Sequence, residues 1–136
     1  MKKFSIKEVS QLLTIASSTL RYYEEVGILN NVERNSSGQR VYNEEHIGRI
    51  KAINCFKGTG MTISMLQEFF RYEENEKEHI NDILILLEEQ KRNVDLKFQQ
   101  LEKDMKQINR KLRHYKEVKK ALEENKPIPS WEASAE

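Results

Sequence analysis

From Lys77 to Glu124 the chain contains no glycine and no proline, and a heptad pattern runs through that stretch without interruption. One seam position is held by Ile80, Leu87, Val94, Leu101, Ile108, Tyr115 and Leu122, the other by Leu84, Lys91, Phe98, Met105, Leu112 and Lys119. Eleven of these thirteen positions are apolar or aromatic, all except Lys91 and Lys119. That repeat makes a helix with one narrow apolar stripe, the seam of a coiled coil. At ~1.5 Å per residue the helix is roughly 70 Å long, more than a domain of ~75 residues can cover. The stripe therefore needs a partner, and a second copy is the simplest one. Ile83, Leu84, Ile85, Leu86 and Leu87 are apolar on every side of the helix, so this turn is expected to pack on the N-terminal domain as well as on the partner.

Charge sets the direction of pairing. Residues 73–97 hold eight acidic and four basic side chains, and residues 98–120 hold eight basic and three acidic. Parallel helices would set acid against acid and base against base. Antiparallel helices lay each acidic half along a basic one, so an antiparallel homodimer is predicted.

Ahead of this helix the chain reads as several short elements. Ser5 and Glu8 form an S-x-x-E capping box opening a first helix, with Ile6, Val9, Leu12 and Leu13 as its apolar stripe. Thr14-Ile15-Ala16 breaks it, and Ser17 or Ser18 is placed to cap a second helix running to about Val26, closed by Gly27. Two helices joined by so short a turn form a helix-turn-helix. Val32-Glu33-Arg34, a turn at Asn35-Ser36-Ser37-Gly38, and Gln39-Arg40-Val41-Tyr42 predict a small β-hairpin. Asn43 caps a third helix ending near Gly58-Thr59-Gly60, and Thr62 caps a fourth to about Tyr72. The expected organisation is a winged helix-turn-helix domain over 1–73, the coiled-coil helix over 76–125 and an irregular tail over 126–136, started by Pro127 and Pro129. The fold class is mainly α, with a small β-hairpin wing.

Composition excludes several classes. With 33% charged residues and no apolar run near ~18 residues, neither a membrane span nor a secretory signal is expected, and a cytoplasmic location follows by default. A single cysteine, Cys55, allows no intrachain disulfide and no clustered thiolate metal site, and His46, His79 and His114 show no ligand spacing. No paired-carboxylate, triad or phosphate-loop signature is present, so neither an enzyme nor a cofactor is expected. Residues 1–72 carry a net charge of +3 and residues 73–136 a net charge of −2, which makes the N-terminal part the one suited to nucleic acid.

In a helix-turn-helix the second helix enters the major groove with its first residues on base edges. Here those are Ser17, Ser18 and Thr19, with Arg21, Tyr22 and Tyr23 one turn further on. Short hydroxyls read bases, arginine pairs guanine or phosphate, and tyrosine hydroxyls hold phosphates. Against this, one of the two tyrosines can be core and Arg21 an ordinary surface residue.

The run from Ser5 to Tyr23 with Arg21-Tyr22-Tyr23-Glu24, then Gly27-Ile28-Leu29, Arg34, Gly38-Gln39-Arg40 and Tyr42, resembles the MerR family of bacterial regulators over residues 1 to about 72. The long helix is similar to that family's antiparallel dimer helix. Two departures fall in the wing region: Asn30-Asn31-Val32 where the family usually has a proline, and Gln39 where an aromatic often precedes the arginine. The resemblance implies a homodimer on a palindromic site in double-stranded promoter DNA. Distortion of an over-long spacer would then let RNA polymerase engage both promoter elements. It further implies phosphate contacts from Arg34, Arg40 and Tyr42 in the wing, and from the turn before Thr62, with Lys57 either joining them or solvated.

The effector is less determined. The family's metal sensors carry cysteines around the dimer helix and its drug sensors a large C-terminal domain; neither feature stands in this sequence. Cys55 shares a helical face with Gly48 and Ala52, off the core arc of Ile47, Ile50, Ile53 and Phe56. Such a face admits a close helix, and a thiol there is open to modification. Some short members with a lone cysteine in this helix are similar, and they respond to aldehydes and other electrophiles. A small buried filler is the other reading of Cys55. A regulator that binds a small molecule without thiol chemistry, and a coiled-coil interaction protein with no DNA role, stand as alternatives.

Overall fold

A computed structural model describes residues 2–134. The elements are β1 (Lys3–Ser5), α1 (Ile6–Leu13), α2 (Ser17–Glu25), β2 (Glu33–Arg34), β3 (Arg40–Asn43), α3 (Glu44–Gly58), α4 (Ile63–Glu73), α5 (Glu76–Glu123) and α6 (Trp131–Ser134). By packing, the chain divides into one compact unit through Gln90 and a second from Lys91 onward. Ile83, Leu86 and Leu87, all on α5, pack into the core of the first unit, and Gln90 donates through Nε2 to the Thr59 carbonyl oxygen at 2.9 Å.

Local chemistry fixes most element ends in the first unit. Ser5 caps α1 by accepting from the Glu8 amide at 3.1 Å while Glu8 reaches back to the Ser5 amide. Thr14 takes a left-handed conformation, φ 52°, at the end of α1, and the Ser10 hydroxyl donates to the Ile15 carbonyl. The cap of α2 is Ala16, with no side-chain bond, so neither Ser17 nor Ser18 caps it; both lie inside the first turn of the helix. Gly27, φ 80°, closes α2: its amide donates to the Glu24 carbonyl and the Ile28 amide to that of Tyr23. This paired closure takes up two otherwise orphaned carbonyls. Asn43 opens α3 in a capping box with His46, and Thr62 opens α4 by accepting from the Met65 amide.

The expected two-stranded hairpin is part of a three-stranded antiparallel sheet, ordered β1-β3-β2. Phe4 stands opposite Tyr42, and Arg34 opposite Arg40. The core gathers Val9, Leu20, Tyr23, Ile28, Leu29, Tyr42, Ile50, Ile53 and Leu66 from α1, α2 and the segment after it, β3, α3 and α4. Leu12 departs from the expected stripe and is exposed, because it lies well round the helix from the face shared by Ile6, Val9 and Leu13.

Helix α5 is not regular throughout, since His79 leaves helical geometry at φ −115°, ψ 17°. In the second unit, Asn125 ends α5 in a left-handed conformation, and the Lys126 amide donates to the Ala121 carbonyl at 2.8 Å. The tail is not wholly irregular: Trp131–Ser134 forms one helical turn. The Trp131 ring meets buried His114 edge to face with centroids 5.1 Å apart, and Lys111 Nζ sits 3.9 Å from the indole centroid. An edge-to-face ring contact and a cation over an aromatic face thus offset the ordering of a short tail.

Candidate nucleic-acid interface

The start of α2 presents Ser18 to solvent, with Ser17 and Thr19 half-buried beside it. Arg21 and Tyr22 follow on the exposed side. The two tyrosines take different roles. Tyr22 is 44% exposed and Tyr23 is 1% exposed. Consecutive helical residues lie ~100° apart, so the pair point in different directions, and here Tyr23 is the one turned into the core. Tyr23 is consequently removed from direct DNA contact. Its hydroxyl donates to Asn54 Oδ1 at 3.3 Å and accepts from Lys57 Nζ at 3.2 Å. Lys57 is neither fully solvated nor free of the domain, because its ammonium is held by Tyr23 while its side chain stays exposed.

The wing is built on Asn35. Its Oδ1 accepts from the amides of Ser37 and Gln39, both at 3.0 Å, and Gly38 supplies the positive φ of 77° that the turn needs. Arg34 is fixed to this turn by donating from Nη1 to the Gly38 carbonyl at 2.8 Å. Arg40 is fixed to α2 instead, through Nε to Glu24 Oε2 at 2.6 Å. The expected phosphate contact from Tyr42 is corrected. Tyr42 is fully buried, and its hydroxyl is buried without a hydrogen-bond partner, so it does not reach a phosphate. Being opposite Phe4 in the sheet turns its ring into the core.

Tyr42 nevertheless marks the centre of the site. Burial, and after it the Glu24 carboxylate, raise its phenol above the ordinary value, while Arg40, Arg21 and Arg34 act in the opposite direction. Arg34 stands opposite Arg40 in the sheet, and Arg40 reaches Glu24 one turn on from Arg21, so α2, β2 and β3 each bring a guanidinium to the junction of helix and wing. This arrangement can grip phosphate oxygens on either side of a groove entered by α2. At α4, Thr62 satisfies the Met65 amide and leaves the first amides of an eleven-residue helix as donors to an anion.

Sequence reasoning missed Glu24 and Asn54. Asn54 precedes Lys57 by three positions on α3, the spacing of a shared helical face, and that was the available signal. Glu24 pairs with a residue sixteen positions away, which no local pattern reveals. Cys55 is exposed, which removes the buried-filler reading within one chain. A Cβ added at Gly48 would meet nothing within 4 Å, so the face these two residues share is unpacked within the chain. Among the described residues no group of three or more histidine, cysteine or acidic side chains is placed to hold a metal ion. Nor is any helix among them long and apolar enough to cross a membrane.

The fold and the site define a winged helix-turn-helix transcription regulator. The chain belongs to the MerR HTH family of regulatory proteins, which it matches over residues 4–73. It is 40% identical over 65 residues to the HTH-type transcriptional regulator AdhR of Bacillus subtilis, a stretch spanning 48% of this chain and 46% of that relative's length. It is 26% identical over 116 residues to an uncharacterized HTH-type transcriptional regulator of Haemophilus influenzae, covering 85% of this chain and 86% of the relative. Among solved structures, it is similar to HiNmlR, a MerR family regulator lacking the sensor domain, bound to promoter DNA. The two share 25% identity and a TM-score of 0.78, over 87% of this chain and 94% of the other. A MerR family transcriptional regulator from Bacillus thuringiensis matches at 31% identity and a TM-score of 0.70, over 82% and 97% of the two chains.

Proposed function

We propose that the protein binds double-stranded promoter DNA as a homodimer. In this reading α2 enters the major groove and Ser17, Ser18 and Thr19 meet base edges. Arg21, Arg34 and Arg40 hold the backbone from the helix–wing junction, and the α4 amides, with Lys57, hold it further along. The observation that carries the reading is the joining of the wing arginines to α2: Arg34 stands opposite Arg40, and Arg40 is bonded to Glu24, one turn on from Arg21. HiNmlR, similar over almost its whole length, was solved on promoter DNA.

The second copy covers the exposed seam of α5. Ile80, Leu84, Phe98, Leu101, Met105, Ile108, Leu112, Tyr115 and Leu122 are all at least 48% exposed in the single chain. Val94 is half-buried, and Leu87 is shared with the first unit's own core. On a promoter with an over-long spacer, distortion by the dimer would present both elements to RNA polymerase, an activating role carried out in the cytoplasm. A footprint on the region upstream of its own gene, with Arg40→Ala and a Ser18 variant alongside, tests this. Arg40→Ala should weaken binding evenly across sequences and the Ser18 variant should change which sequences are preferred. An Arg40→Ala protein that binds as tightly as the parent removes Arg40 from the site.

For the effector we favour modification of Cys55 by an electrophile such as an α,β-unsaturated aldehyde. Its exposure and the open face beside Gly48 support this. Intact-protein mass spectrometry after aldehyde treatment is the direct test. Absence of an adduct under conditions that change transcription would sink it. A response retained by Cys55→Ser would favour a small molecule bound without thiol chemistry.

A further inference from the structure

We propose that Glu24 is a positioning residue for the phosphate-binding guanidinium of Arg40, locking the wing to the recognition helix. The proposal rests on the DNA reading above and gives a role to a residue of α2 that itself repels phosphate. Arg40 is the first residue of β3, and Glu24 lies in the last turn of α2. Their contact runs from Nε to Oε2 at 2.6 Å, with side chains 22% and 28% exposed. It uses Nε alone: among the described residues no hydrogen bond is made by the Arg40 Nη atoms, and they are not among the buried orphans. An arginine held at Nε has its plane fixed while both terminal nitrogens stay available as a two-pronged donor, the fork that matches a phosphate. Released from that contact, the long side chain must lose its rotamer freedom on every binding event.

The placement of Glu24 calls for such a role. It faces Arg40 directly, and Arg40 stands opposite Arg34 in the sheet, so Glu24 places a carboxylate in a site otherwise suited to an anion. Arg34 needs no such partner, because the Gly38 carbonyl already holds it. If Glu24 only contributed charge, its removal would tighten DNA binding. If it positions Arg40, its removal weakens binding. The two readings differ in sign.

The test is equilibrium binding of the full chain, across a salt series, to a duplex that the parent protein enriches from a random pool. The variants are Glu24→Ala, Glu24→Gln, Glu24→Asp, Arg40→Ala and the double variant Glu24→Ala/Arg40→Ala. Glu24→Ala should weaken binding by about tenfold, the scale of one charge-assisted bond. Glu24→Gln keeps an oxygen that accepts from Nε and should stay within about threefold of the parent. Glu24→Asp keeps the charge but falls short of Nε, and should bind weakly although the electrostatics are unchanged. In the Arg40→Ala background Glu24→Ala should cost nothing further. Glu24→Ala or Glu24→Asp binding as tightly as the parent overturns the proposal, as does an equal loss in the presence and absence of Arg40. If Arg40→Ala itself binds normally, or no duplex is enriched, the DNA reading of Arg40 fails and takes this proposal with it. Weak Arg40→Ala beside unaffected Glu24 variants removes the positioning role alone.

Discussion

The ammonium of Lys57 donates to the hydroxyl of Tyr23 at 3.2 Å and lies 5.1 Å from the centre of the same ring. A lysine on α3 is thereby held by a tyrosine whose sequence neighbour, Tyr22, stands in solvent. Tyr23→Phe should lower stability by about 1 kcal/mol, since it leaves Asn54 and Lys57 without that partner. Tyr22→Phe should leave stability unchanged and weaken DNA binding. Denaturant melts and gel shifts on both variants separate the two roles; equal effects on melting would contradict the assignment.

Tyr42 gives a pH dependence with a defined sign. Burial first, and Glu24 second, raise its phenol above the ordinary value of 10.0. The folded chain therefore keeps this proton longer than the unfolded chain does. The associated stability is fully present below about pH 10 and is lost as pH rises through the folded value. Tyr42→Phe should flatten that alkaline loss. At neutral pH it should be as stable as the parent or more so, because the phenol oxygen it removes is buried and unpartnered. The Tyr72 phenol is raised as well, chiefly by its hydrogen bond with Glu68, so a residual alkaline slope should remain. Urea titrations at about pH 8 and about pH 10.5 read this directly. An unchanged slope in Tyr42→Phe would place the titration elsewhere.

The reach of the first unit into α5 predicts where a dimer-helix substitution damages folding. Leu86 is 9% exposed and belongs to the core cluster, whereas Leu84 is 48% exposed. Leu86→Ala should cost about 2–5 kcal/mol of domain stability, as for other large-to-small core changes. Leu84→Ala should instead act on subunit association, making the melting temperature depend on protein concentration. Melts at several concentrations tell these apart.

Orientation of the proposed dimer follows from the acidic first half and basic second half of the long helix. In a Cys55→Ser background, Leu84→Cys copies should not form an efficient disulfide with one another, and neither should Lys119→Cys copies. Rapid oxidation of the Leu84→Cys protein to a covalent dimer would indicate parallel strands.

Much of the fold was legible because its signals are local. Ser5, Asn43 and Thr62 announce their helices through side chains that bond three residues ahead. The heptads state the length of α5 by repetition, although not the departure at His79. Three-dimensional facts were not readable in the same way. Arg21-Tyr22-Tyr23 shows that two tyrosines are present but not which one is buried. The pairing of Glu24 with Arg40 joins elements separated by the whole α2–wing connection. Strand β1 is three residues long, too short for an alternating pattern, and the Trp131–Ser134 turn depends on its docking against His114.

Strand β3 is flanked on both sides, by β1 and by β2. The edges of the sheet are therefore a three-residue strand and a two-residue strand. Edges so short offer little to an incoming strand of another molecule. A protein that must carry an extended apolar seam for a helical partner is thus spared a second, sheet-like route to self-association. Deletion of Lys3–Ser5 would uncover one side of the segment bearing Val41 and Tyr42, and would turn a sheltered central strand into a template for aggregation.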